Sequence, residues 1–314
     1  MIDGDTGAHI WAAKLDGDVE GVFDFQDRIT EGVVGLIEPQ IRKAEIERAR
    51  RKRPDNMDAN DLYLQALPYM SNKRIPGEVS YVAGLALLDK ALAIDPNFAS
   101  ALALAAFFHE KRHAQVGVVP SGVDDAARAR EFSGRALSLD SSDAFVLLVA
   151  GVVRTNIMGD KEGGFALVRR AEALNPNSTV VLNTMAAAQF SRGELDAAIA
   201  TSMRALRLTP PGAPDSLWPL TTLAQAYLAM GMVEEALIWA QRAVDMPVIV
   251  YGAHGILAAC YAHLGKVQEA RDAVRRALAL APDLTIAIVL GKNAQSQGRD
   301  RLAYEGMKAA GLPD

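Results

Sequence analysis

The chain has a single cysteine, Cys260, in 314 residues, so no disulfide framework can hold it together and a reducing compartment is favoured. Cys260 sits in an apolar stretch and reads as a small buried hydrophobe, not a reactive thiol. Aromatic residues make up only 6% of the chain, too few for a core built on large rings. No apolar run reaches the roughly 18 residues that a membrane span needs, and no secretory signal is present. Positive charge is also short: 33 Lys and Arg against 38 Asp and Glu give a net charge of -5, with no bulk attraction to nucleic acid or anionic lipid. Phosphate-cradling glycine loops are missing, as is any serine with a histidine and aspartate context. Asp3-Gly4-Asp5 and Asp16-Gly17-Asp18 lack the ligand series and closing glutamate of a calcium loop and read as turns.

What the chain does have is alanine and leucine in a recurring arrangement. In the stretch GKVQEARDAVRRALALAP, residues 265–282, Ala270 and Ala277 stand two helical turns apart on one face, where a neighbouring helix can approach closely. Pro282 follows as a stop. The same constellation recurs upstream as Ala236, Ala243 and Pro247, as Ala198, Ala205 and Pro210, and as Gly164, Ala171 and Pro176. Each copy follows a glycine turn, at Gly265, Gly231, Gly193 and Gly159. Before each turn comes an apolar helix with a small residue at a matching place: Ala258, Ala224, Ala186 and Gly151. Two irregular copies precede these. Asp61–Met70 pairs with Val79–Ile94, with Gly84 and Ala91 as the crossing pair, and Phe98–His113 pairs with Asp124–Leu139, with Ala129 and Ala136. Both contain long connections, SNKRIPGE and AQVGVVPSG.

Helix, glycine turn, second helix and proline stop, repeating at about 34 residues, resembles the tetratricopeptide repeat. Leu257 and Tyr261, and Leu223 and Tyr227, stand at that family's leucine and tyrosine places. The resemblance implies an all-α fold: a right-handed superhelix of about six helix pairs, which grows by addition and needs no second globular core. The expected array is 55–282. Residues 283–314 are expected to form capping helices, with a weak last helix over Leu302–Ala310.

The first 54 residues read differently. Residues 1–16 predict a small β-hairpin with Ile10 and Trp11 in its second strand. Phe25, Ile29, Val33 and Leu36 then predict a long linker helix, interrupted near Pro39. DTGAHIWAAKLDGDVEGVFDFQDRITEGVVGLIEP resembles the closing hairpin and helix of a TolB-like domain, as found before the repeats of class III adenylate or guanylate cyclases and in winged-helix regulators of the CadC type. If so, residues 1–54 are the remnant of that domain. No residues correspond to the cyclase's metal-binding aspartates or to a recognition helix. The basic run within Arg42–Arg53 is diluted by Glu45 and Glu47 and reads as a solvated helix face.

One enzyme-like motif stands out. Residues 109–113 spell His-Glu-Lys-Arg-His, the HExxH pattern in which two histidines bind zinc and the glutamate activates water. Lys111 and Arg112 occupy middle places that are usually uncharged, and the candidates for a third ligand, Glu131 or His254, are arbitrary. A zinc hydrolase is therefore the minor alternative. The segment reads better as the end of a repeat helix.

The family usually binds an extended peptide or partner helix along its first helices. By matching positions, the candidate groove residues are Val149 and Val152, then Asn183, Ala187 and Phe190, then Trp218, Thr221 and Gln225, with Trp218 as anchor. The expectation is a cytoplasmic, non-catalytic interaction scaffold with no cofactor and no metal. It is read as the regulatory or sensor region of a bacterial cyclase-like signalling protein, with the sensor half of a CadC-type regulator as the alternative. Its partner would be a protein, a peptide or another domain of its own parent, and self-association is allowed. No nucleic acid partner and no membrane span are expected.

Overall fold

Aspartate opens one helix after another in this chain. Its side chain accepts hydrogen bonds from backbone N–H groups that a helix start leaves without partners, worth about 1 kcal/mol at each cap. Asp58 and Asp61 form a reciprocal box, with Asp61 N donating to Asp58 Oδ1 at 2.8 Å and Asp58 N to Asp61 Oδ2 at 3.0 Å. Asp124 caps through Ala127 N, Asp143 through Phe145 N and Val146 N, and Asp160 through Gly163 N. Asp160 is held below the ordinary carboxylate range by that Gly163 N–H and by Arg154.

The structure, a computed structural model, describes residues 44–49, 57–70, 77–114, 122–210, 212–246, 251–290 and 298–314. The expected hairpin, most of the linker helix and most of the two long connections lie outside these. Residues 44–49 are helical. The helices that follow are α1 (Ala59–Ala66, continued by a 3-10 turn, Leu67–Met70), α2 (Gly77–Ile94), α3 (Ala99–Ala114), α4 (Asp125–Leu139), α5 (Ala144–Asn156), α6 (Lys161–Leu174) and α7 (Thr179–Arg192). The series goes on with α8 (Leu195–Leu208), α9 (Leu217–Ala229), α10 (Val233–Val244), α11 (Tyr251–His263), α12 (Val267–Leu280), α13 (Ile286–Leu290) and α14 (Arg301–Ala310). The described residues contain no strand. Gly159, Gly193, Gly231 and Gly265 each turn the chain with φ between +74° and +79° or, at Gly265, +72°. That is the left-handed region where a side chain is strained, so the turns need glycine.

The chain forms two compact units. The first holds α1 to α6 with residues 179–181 and 207–210. Consecutive helices α1 to α6 pack on one another, and α3 also packs on α5. Residues 101–106 of α3 are buried without a break. A helix that is apolar nearly all round belongs inside, and ALALAA is such a sequence. The crossing of α5 and α6 is the tightest of this unit's small-residue contacts: a β-carbon at Gly151 would stand 2.8 Å from the carbonyl oxygen of Gly164. Gly84 departs from the expectation, since the face it leaves open is filled by the ring of Phe108 on α3. Phe108 is itself fully buried.

The second unit holds residues 182–206 of α7 and α8, then α9 to α14. Here α9, α10, α11 and α12 pack in succession, and α9 also packs on α11. Ala198, Ala205, Ala236, Ala243 and Ala277 are 0% exposed and Ala270 is 1% exposed, as crossings made by alanine require. The last helix takes an unexpected place. Instead of only continuing the stack beyond α12, α14 packs chiefly on α11, and also on α9, α12 and α13.

Candidate interaction site

The groove positions of the second unit lie on its first helices. Trp218 on α9 is 48% exposed, the condition for an apolar anchor. Gln225 is half-buried on the same helix. The Thr221 hydroxyl donates to the carbonyls of Leu217 at 3.0 Å and Trp218 at 2.8 Å, which ties it to its own helix. On α7, Asn183 and Phe190 are half-buried and Ala187 is exposed.

In the first unit the expected pair does not stand together. Val152 is half-buried, but Val149 is fully buried in the core and lines no open surface. The residue that does face outward at this repeat is Phe145. It lines a cavity of about 420 Å³ with Tyr63, Leu67, Met70 and Val181. Repeat register shows why. Phe145 precedes the small residue Gly151 by the same interval by which Trp218 precedes Ala224. Val149 stands two residues before Gly151, as the buried Thr222 and Ile256 stand before Ala224 and Ala258.

The sequence positions one repeat after Thr221 and Gln225 are Gly255 and Ala259, and neither was among the candidates. Both are buried, Ala259 against Gly306 of α14 and Gly255 against Val289 of α13 as well as Met307 of α14. A β-carbon on Gly306 would stand 2.7 Å from Ala259 Cα, so the two backbones are in contact. A β-carbon on Gly255 would meet Met307 Sδ at 3.3 Å. At the end of α11, His263 Nε2 donates to the carbonyl of Leu302 at 2.7 Å. Just ahead of α14, Arg299 lies over the Phe190 ring at 4.4 Å and donates to the Phe190 carbonyl at 3.0 Å. A signal for this was present in Ala303, Gly306 and Ala310, a row of small residues on the last helix.

The HExxH residues are engaged in another way. His109 Nδ1 lies 2.6 Å from Asp125 Oδ1, and Arg112 Nε reaches the same carboxylate at 3.2 Å. Glu110 is 1% exposed, accepts from Asn156 Nδ2 at 2.7 Å and pairs with Lys111 at 2.8 Å. Burial works against the charge of Lys111, but Glu110 outweighs it and leaves the amine above its ordinary pKa. His113 is exposed. Among the described residues no three His, Cys, Asp or Glu side chains gather as a metal site. These contacts tie α3 to α4 and α5.

Helix pairs joined by glycine turns, crossing on small residues and stacked in succession within each unit, define an all-α helical-repeat protein. Models of the tetratricopeptide repeat family match residues 171–247 and 252–284, and these stretches are tetratricopeptide repeats. The chain is similar to "Putative adenylate cyclase 3" of Rhizobium meliloti (strain 1021), with 30% identity over 101 residues, which is 32% of this chain and 17% of that protein's length. Among solved structures, the APC/C hetero-tetramer Cut9-Hcn1 aligns with TM-score 0.61 and 15% identity, over 92% of this chain and 49% of that one. The type IV pilus biogenesis factor PilW aligns with TM-score 0.52 and 18% identity, over 72% and 94%. At these identities the two structures speak for the fold alone. No helix of the described residues is long and apolar enough to cross a membrane.

Proposed function

We propose that this chain is the regulatory region of a bacterial nucleotide-cyclase signalling protein, working as a non-catalytic scaffold that holds a protein segment against the first helices of its repeats. The observation that carries the reading is Trp218: a tryptophan left 48% exposed on a first helix, at the position where these repeats meet ligands. The likeness to the Rhizobium protein supports the cyclase parent. The occupation of His109 and Glu110 by Asp125, Asn156 and Lys111 speaks against a zinc hydrolase. The TolB-like character of residues 1–54 and a cytoplasmic setting belong to the same proposal.

The test uses the whole recombinant chain and a purified class III cyclase catalytic domain. The chain is expected to bind the domain and to change its rate of cyclic nucleotide formation. Trp218→Ala should weaken binding at least tenfold, about 1.4 kcal/mol, while the melting curve stays in place. A Trp218→Ala chain that binds with full affinity removes the anchor, and absence of any binding or rate change removes the cyclase parent.

A further inference from the structure

The first-helix face of the second unit is partly filled by the chain itself. Gly255, Ala259 and His263 lie along one face of α11; the first two stand one repeat after Thr221 and Gln225 of α9, while Gly252, one repeat after Trp218, is left open. All three are met by α14 or its flanks, through Met307, Gly306 and the Leu302 carbonyl, with Val289 of α13 sharing the cover over Gly255. The contacts run down α11 in reverse order, so α14 lies antiparallel to it. Arg299 extends the segment's reach to Phe190 on α7, itself a groove position. Thus a ten-residue helix with its flanks engages first helices of three successive repeats, which a further hairpin stacked on the end of an array would not reach.

The buried face of α14 is Ala303, Gly306, Met307 and Ala310, with Leu312 just beyond. Arg301, Glu305 and Lys308 face water. Such a helix is too short to be stable alone, and it draws its order from the surface that receives it.

We infer that the α9 and α11 face is a seat for a short amphipathic helix, filled in cis by α14, and that the partner helix of this scaffold binds by displacing it. The inference rests on the scaffold reading above but not on the identity of the parent. The fitting ligand carries small residues at i, i+3 and i+7 and a flexible apolar one at i+4, the pattern of Ala303, Gly306, Ala310 and Met307. Glycine is required opposite Ala259, where even a β-carbon would stand 2.7 Å from the Ala259 backbone. Tethering gives α14 a high effective concentration over its seat, so a competitor of the same sequence meets an occupied site until α14 is loosened.

A labelled synthetic peptide of residues 298–314 tests this against the full-length chain by fluorescence anisotropy. Gly306→Leu should expel α14 from the Ala259 contact, and the variant is expected to bind the peptide at least tenfold tighter than the unaltered chain does. Hydrogen exchange should then quicken over 298–314 while α9 to α12 stay protected. A folded Gly306→Leu chain that binds the peptide no better than the unaltered one overturns the inference. If Gly306→Leu does not fold, Arg299→Ala decides. It should speed exchange over 298–310 alone and raise peptide binding, and unchanged exchange there overturns the inference. No cyclase domain takes part, so failure here is distinct from failure of the proposed parentage.

Discussion

Cys260 is 0% exposed, and burial pushes its thiol up to about 12, so the nucleophilic thiolate is absent at neutral pH. A thiol reagent at pH 8 is expected to leave the folded chain unlabelled and to react once denaturant unfolds it. Rapid labelling under native conditions would contradict the burial. His254 on α11 works in the opposite sense. Burial, with the charge of Arg276, depresses its pKa below the ordinary 6.5, so the folded state prefers the neutral ring. Its contribution to stability is complete above 6.5 and is lost as pH falls from there through the depressed value. Denaturant titrations should thus show less stability at pH 5.5 than at 7.5, with a smaller difference in His254→Gln. At Gly151 the limit is space, and Gly151→Val is expected to cost about 1–3 kcal/mol by forcing α5 away from Gly164. These small residues were legible in the sequence because helix crossings leave a periodic mark. The partner of Gly84 was not: a ring arriving from another helix, Phe108, leaves no mark at the glycine's own period.

At the scale of elements, α3 shows how a catalytic-looking motif can be structural. Asp125, at the start of α4, faces His109 and Arg112, whose side chains are 11% and 3% exposed. Removing the carboxylate leaves a buried guanidinium without its counter-charge, and Asp125→Ala should cost about 3 kcal/mol in a urea titration. His109→Ala should leave metal content unchanged by elemental analysis. The helices themselves were readable from Asp caps, glycine turns and apolar spacing, and α2 to α4 fall within two residues of their expected bounds. The groove was read less well. Val149 and Phe145 both belong to an apolar run, AFVLLVAGVV, in which periodicity marks no face. Only comparison with Trp218 fixes which side is outward. The position of α14 was hidden for a different reason, since Arg299 and Phe190 meet across more than a hundred residues of chain.

At the scale of the molecule, two units built from neighbour-to-neighbour contacts should unfold unevenly, because each helix pair leans mostly on the next. Hydrogen exchange is expected to be slowest in α3 of the first unit and α11 of the second, both buried along most of their length, and faster in α1 and α13. Uniform exchange across all helices would mean that the whole array opens as one body. The seclusion of the lone sulfur in α11 has a practical corollary. Any cysteine introduced on an exposed helix face becomes the chain's sole addressable thiol at neutral pH. A dye or spin probe can therefore be fixed at one chosen point, next to Trp218 or on α14, with the native residue left in place.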